Sequence, residues 1–163
     1  MRFNPGVLDI WAFRRVDGEV RFLLLHTSQL KADRHFNGGR FWQVPSGVFD
    51  GEEPVPTAVD RVLGNLGLRA DGVWAAEHVY TIYNRRFHEI EVISVFAAEV
   101  LAGDPTLDPE EHSTSAWLPL EEALSRVHYR GLKDGLRSVH EFITGVEQPA
   151  AELCLRRPGT GSS

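Results

Sequence analysis

The stretch from Phe41 to Leu68 constrains the fold more than any other part of the chain. Phe41-Trp42-Gln43-Val44 reads as a short strand that ends at Pro45, and Ser46 to Glu53 follows as a loop containing Gly47 and Gly51. Pro54 and Pro56 then restrict the backbone just where a helix is to start, which suits a first helical turn. From Thr57 to Leu66 the apolar residues Ala58, Val59, Val62, Leu63 and Leu66 fall on one helical face, and such a stripe has to be buried against something. Gly67 follows as a C-terminal cap. The opposite face carries Asp60, Arg61, Gly64 and Asn65. A strand, a glycine loop and a one-sided helix in direct succession call for a sheet on which the helix can lie.

The rest of the chain supplies that sheet. Val7 to Phe13 and Val20 to His26 are apolar runs rich in β-branched and aromatic residues, with the hairpin signal Asp17-Gly18 between them. Ser28 to Arg40 reads as a long polar loop with Gly38-Gly39 near its end, and loops of this length are usually either mobile or functional. Val73 to Tyr83 and Phe87 to Val100 read as two strands joined by a turn at Asn84-Arg85-Arg86. An acidic loop from Asp104 to Ser113, a short strand from Ser115 to Leu118 and a short helix from Leu120 to Arg126 follow. A last helix is expected from Gly131 to Thr144, with Leu132, Leu136, Val139 and Ile143 as its buried stripe. Strands and helices mix without strict alternation. This favours an α+β, layered arrangement over a doubly wound parallel sheet.

The chain has 163 residues, enough for one domain. The expected division is a single domain over residues 1–150 and a flexible tail over 151–163, because the end from Arg156 is polar and glycine-rich. No run of about 18 apolar residues occurs, so no membrane span is expected, and the first residues hold no apolar signal core. A cytoplasmic protein is the default expectation. The formal net charge of -6 argues against a nucleic acid polymer as partner. It leaves room for a small phosphate site lined by a few arginines. Cys154 is the single cysteine, so no internal disulfide can form, and no Cys/His spacing suits zinc.

The order of hairpin, long loop, strand, glycine loop, helix and capping glycine resembles the Nudix hydrolase family. The residues that carry the likeness are Phe41 to Gly47, Gly51-Glu52-Glu53 and the helix from Ala58 to Leu68, then Glu111-His112, Trp117-Leu118-Pro119 and the final helix. It covers residues 6 to 145 and looks closest to the branch that hydrolyses dihydroneopterin triphosphate or dATP. The resemblance implies a Nudix-type α/β/α sandwich with a mixed sheet. The family motif runs glycine, five residues, glutamate, seven residues, arginine-glutamate, an aliphatic, one residue, two glutamates, one residue, glycine and an aliphatic. Acids at i, i+3 and i+4 share a helix face and together hold Mg²⁺ or Mn²⁺, which neutralises a diphosphate and activates water.

This sequence fits the motif in two registers, and neither restores those glutamates. Counting forward from Gly47 keeps Glu53 and Arg61 but puts Val62, Asn65 and Leu66 at the three acid positions. Counting back from Gly67-Leu68 keeps Glu52 and Val62, places Ser46 for the first glycine and Asp60 for the arginine, and leaves Arg61, Gly64 and Asn65 where the acids belong. The second register needs no gap and keeps the apolar stripe on the core side. Arg61 repels a divalent cation but attracts phosphate.

By this resemblance the acids expected to act in catalysis or to hold metal are Glu52, Glu53 and Glu111. Arg40, Trp42, Ser46, Gly47, Asp60, Arg61, Asn65 and Tyr83 are the expected ligand contacts. Each has an ordinary structural reading too, from solvated loop acid to core aromatic. Two functions stay open. One is a divergent hydrolase of a nucleoside-diphosphate-linked metabolite, using Mg²⁺ or Mn²⁺ on the residual acids. The other is a non-hydrolytic Nudix-fold protein that binds such a small phosphorylated ligand, or runs metal-independent chemistry, in the same cleft with no cofactor. The resemblance leaves a homodimer open.

Overall fold

The computed structural model describes residues 1–159. The sheet is built from β1 (Arg2–Val16), β2 (Glu19–Thr27), β3 (Trp42–Gln43), β4 (Ser46–Val48), β5 (Gly72–Asn84), β6 (Glu89–Glu99), β7 (His112–Pro119) and β8 (Cys154–Arg156). Four helices accompany it: α1 (Gln29–His35), α2 (Val55–Gly64), α3 (Leu120–Arg126) and α4 (Arg130–Val139). The strand order is β3-β2-β1-β6-β5-β8, with β4 paired to β1 and β7 to β2. The sheet is mixed, since β1 runs parallel to β6 and antiparallel to β2 and β4. No described helix is long and apolar enough to cross a membrane.

Alternation along β1 divides the core into two layers, because successive strand residues point to opposite faces. Leu8, Ile10 and Ala12 pack with Ala58, Val59, Val62 and Leu63 of α2. Trp11 and Phe13 pack with Leu132, Leu136 and Val139 of α4, Ala123 of α3 and Ile143 beyond α4. The expected α/β/α sandwich follows from this one alternation. Burying four apolar residues of α2 stabilises the domain by several kcal/mol, at roughly 1.5–3 kcal/mol for a large side chain.

Four departures from the sequence reading have local causes. The expected loop from Ser28 to Arg40 contains α1, capped by Ser28, whose hydroxyl oxygen accepts from the Lys31 N–H at 3.0 Å. Ser46 to Val48 form β4 rather than loop, pairing with Val7 to Asp9. The last helix stops at Val139 and widens into a π-helical turn, His140–Thr144. The expected tail over 151–163 forms a 3-10 turn and then β8, which pairs with β5 at Val73 and Trp74. Arg156 anchors it, donating to both oxygens of Asp60 at 2.8 and 2.7 Å and to the Ala70 carbonyl at 2.9 Å. The part of that expectation covering residues 160–163 lies outside the described residues.

Gly67 takes φ 71° as the capping residue after α2. Gly47 has a different reason to be glycine: a Cβ there would stand 2.6 Å from Cγ2 of Val62. This contact sets how closely α2 approaches β4. Gly47→Ala is therefore expected to lower stability by roughly 1–3 kcal/mol through overpacking, read as a reduced urea midpoint at unchanged slope. Unchanged stability would show that α2 shifts freely on the sheet.

Candidate functional site

The edge of α2 is the first place to look, and its charged side chains are already engaged. Glu53 accepts from the Arg61 guanidinium and from the Asp50 N–H at 2.8 Å. The hydrogen bond from Arg61, then that from Asp50, holds the Glu53 carboxyl below its ordinary range. Arg61 also donates to the Val48 carbonyl at 2.8 Å, tying the helix to β4. Asp60 is held bidentately by Arg156. Glu52, Gly64 and Asn65 are exposed. The loop thus uses the pair that counting forward from Gly47 aligns, while the capping Gly67 satisfies the other register.

This donor set does not fit a divalent metal. Each of Glu53 and Asp60 faces a guanidinium, and Arg61 brings positive charge where oxygen ligands belong. Glu111, the third expected metal ligand, is bound elsewhere, to Lys31 at 2.9 Å and Arg86 at 3.5 Å. Among the described residues no three His, Cys, Asp or Glu side chains converge to hold an ion. Glu52, Glu53 and Glu111 are accordingly not brought together, because arginines and a lysine have claimed two of them.

A buried carboxylate network lies on the α4 side of the sheet. Ser46 donates to Asp9 at 2.8 Å, and the Tyr80 hydroxyl donates to the other Asp9 oxygen. Burial pushes the Asp9 carboxyl up to about 6, against the lowering effect of these two hydrogen bonds. Beside it, Glu89 and Glu91 are buried on β6. Glu89 accepts from Arg2 at 2.6 Å and Asn4 at 3.2 Å, and Glu91 from Asn84 at 3.1 Å. Burial raises Glu91, while hydrogen bonds from Glu91, Arg2 and Asn4 outweigh burial and lower Glu89. One proton shared between the two carboxyls accounts for both directions. Gly131 opens α4 to this network, since a Cβ there would meet the Tyr80 ring at 2.2 Å.

Arg40 and Trp42 form a third group. Arg40 donates to the Thr27 carbonyl at 2.9 Å, meets His26 Nδ1 at 3.0 Å and donates to Ser113. Trp42 stacks on His26 with ring centroids 4.5 Å apart, and the Arg126 guanidinium lies 5.3 Å from its ring centre. Next to them Gln43 contacts His112. Burial, then Lys31, pushes the His112 imidazole down to about 4, so it is neutral at neutral pH.

A cleft of about 610 Å³ opens between the end of α1 and the β5–β6 hairpin. Arg34, His35 and Asn37 line one side and Tyr83, Arg85, Arg86 and His88 the other. Tyr83 is the one expected ligand contact on its wall. Glu111 stands at its border through Arg86. Ser28 places that border: its N–H donates to the Glu111 carbonyl at 3.0 Å and its hydroxyl to the Glu110 carbonyl at 2.6 Å. The Asn84 side chain accepts from the Arg86 N–H at 2.9 Å and shapes the hairpin. Sequence reasoning missed Arg34, Arg85 and Arg86 as a group. In the sequence Asn84-Arg85-Arg86 reads as a turn and Arg34 as a loop residue, and the cap that starts the helix carrying Arg34 to the hairpin, Ser28, is read there as loop as well.

Comparison with known proteins supplies an independent line. The NUDIX domain family model matches residues 7–139. The ADP-ribose pyrophosphatase of Mycobacterium tuberculosis is 31% identical over 126 residues, which are 71% of this chain. The match spans only 59% of that relative's length. A Listeria monocytogenes protein assigned as a NUDIX hydrolase superposes with a TM-score of 0.70 at 20% identity, covering 90% of this chain and 99% of that one. The NUDIX domain of Shewanella oneidensis NrtR, complexed with ADP ribose, gives 0.64 at 17% identity, covering 86% and 89%. At these identities the structures speak for the fold.

The network around Asp9 predicts a pH dependence of stability. The folded-state pKa of about 6 lies above the ordinary 3.8, so the folded state holds the proton more tightly. The stabilisation is complete below about 3.8 and is lost as pH rises through about 6, an effect on the order of 3 kcal/mol. Urea unfolding from pH 4 to 7 is expected to show a steeper fall for the wild type than for Asp9→Asn, which cannot ionise. Parallel curves would refute the assignment.

Proposed function

This chain belongs to the NUDIX family, and we propose that it takes a nucleoside diphosphate derivative of the ADP-ribose kind as ligand, without a metal held on α2. The observation that carries this reading is the charge arrangement on that helix. Arg61 neutralises Glu53, Arg156 neutralises Asp60, and no carboxylate stands at positions 61, 64 and 65. Diphosphate recognition then falls to guanidinium groups, which bind phosphate oxygens in a fork geometry and need no metal. The choice of ligand class is supported by the name of the M. tuberculosis relative and by the ADP ribose bound to the S. oneidensis domain. Arg40, Trp42, Ser46, Gly47, Asp60, Arg61, Asn65 and Tyr83 remain the proposed contacts. Most of them now carry an internal duty that a ligand has to share.

A second reading is favoured by the sequence match to a pyrophosphatase. In it the chain is a hydrolase of the diphosphate bond, and Glu52, Glu53 and Glu111 are the acids that matter, with Mg²⁺ or Mn²⁺ required. Dihydroneopterin triphosphate and dATP are the alternative substrates of that reading.

Calorimetric titration of the full chain with ADP-ribose, dATP and dihydroneopterin triphosphate separates the two, run once with EDTA and once with Mg²⁺ or Mn²⁺. Chromatography of the same mixtures detects cleavage. The expected outcome is ADP-ribose binding that changes by less than about twofold between EDTA and metal, with no AMP formed. Metal-dependent AMP release that disappears in Glu52→Gln establishes hydrolysis instead. Absence of binding by all three compounds overturns the ligand class.

A further inference from the structure

We propose that the cleft between α1 and the β5–β6 hairpin is a diphosphate-binding site, and that Glu111 is the internal counterion the ligand displaces. The inference rests on the ligand class proposed above only for the nucleoside part. The anion site itself follows from the cleft.

Three guanidinium groups from two elements converge on one opening. Arg34 comes from the last turn of α1, Arg85 and Arg86 from the hairpin. Their engagement is light. Arg34 has no hydrogen-bond or ion-pair partner among the described residues. Among the described residues Arg85 is met only by Asn37, whose side-chain oxygen, in its satisfied orientation, accepts at 3.2 and 3.3 Å. Arg86 reaches Glu111 at 3.5 Å, the outer limit of a hydrogen bond, and lies 5.2 Å from the centre of the Phe87 ring. This differs from the edge of α2, where Arg61 and Arg156 are each held by a carboxylate and a backbone carbonyl. On a chain of net charge -6, a cleft whose lining holds three arginines and no acid attracts anions strongly.

The positive field is felt by the imidazole in the cleft. Burial, then Arg86, Lys31 and Arg34, hold the His35 side chain below its ordinary pKa, with Glu111 opposing. Lys31, mostly buried at 12% side-chain exposure, adds a fourth cation behind Arg86 and is bound to Glu111 at 2.9 Å. Burial raises the Glu111 carboxyl, but Lys31 and Arg86 together bring it below the usual range. Glu111 is therefore ionised and occupies the positions that phosphate oxygens would take. Two phosphates on three or four cations exceed the single carboxylate in charge and in acceptor number, so the diphosphate wins the exchange. The tyrosine ring of Tyr83 on the cleft wall leaves a flat face beside the phosphates for a ring of the ligand.

The test uses inorganic pyrophosphate as the probe, titrated calorimetrically into the full chain in EDTA at low salt. Wild type is expected to bind saturably. Arg34→Ala and Arg85→Ala, on separate elements, are each expected to weaken binding about tenfold or more, with circular dichroism and melting temperature unchanged. Glu111→Gln is expected to tighten it several-fold, whereas a metal-ligand or catalytic role predicts no change in EDTA. No binding by wild type, or wild-type affinity in either arginine variant, overturns the site. Unchanged or weaker binding in Glu111→Gln overturns the counterion. The same titrations with ADP-ribose keep this inference apart from the proposed function. ADP-ribose affinity that ignores both arginines sinks the cleft and leaves the ligand class standing. ADP-ribose no tighter than pyrophosphate sinks the ligand class and leaves the cleft.

Discussion

Strand β1 is paired along both edges, and every other layer takes its position from it. One edge carries β6 in parallel from Arg2 to Phe13. The other is shared, β4 pairing near Val7 to Asp9 and β2 from Phe13 onward. Its side chains then sort the helices: Leu8, Ile10 and Ala12 hold α2, while Trp11 and Phe13 hold α3 and α4. A one-residue slip would exchange the two faces and bury the wrong set. Asp9 sits in this same alternation, on the α4 side, and is the one ionisable residue of the strand's buried stretch. Its protonation is thus coupled to the packing of the whole sandwich through Ser46 and Tyr80.

On that frame α2 keeps its position and loses its usual electrostatics. An acidic helix edge repels itself until a cation binds. Here Glu53 and Asp60 each meet an arginine of the same chain, one from α2 itself and one from β8. Exposed pairs of this sort contribute little to stability, commonly below about 1 kcal/mol. What they change is availability, since a carboxylate in a bidentate guanidinium fork has few lone pairs left for a metal. Arg156 also fastens β8 against β5, so the pairing doubles as the anchor of the C-terminal segment.

The sequence was most informative where periodicity and backbone stereochemistry act alone. The α2 stripe, the capping Gly67 and the alternation of β1 are all legible as patterns, and with them the layered fold. Helix α1 was hidden because it has seven residues and one buried side chain, Ala32, too little for a stripe. Strand β8 was hidden because its pairing depends on Arg156 finding Asp60, 96 positions away. The candidate residues divide the same way. That the helix glutamates are absent can be read by counting. That Glu111 is bound by Lys31 and Arg86, or that Arg34 stands across from Arg85, depends on a helix and a hairpin meeting in space. Gly47 illustrates the middle case: visible as a motif glycine, its tight contact with Val62 is a packing fact.

The position of Glu111 makes sense as the cost of keeping a cationic cleft in a folded chain. Lys31 is largely withdrawn from water, and an unpaired charge there would be costly. A carboxylate from the neighbouring loop, held by the Ser28 hydrogen bonds, satisfies it without filling the opening. Any anion that enters therefore exchanges one partner for another, and no lysine has to be stripped of water at the moment of binding. Such an exchange favours ligands with more charge and more acceptors than a carboxylate. It discriminates against acetate-like or monoanionic metabolites that would gain nothing by displacing it. Metal-bridged recognition achieves that discrimination by adding positive charge from solution. At the proposed site the arginines already folded into place would supply that charge, with Glu111 as the acid that a stronger anion displaces.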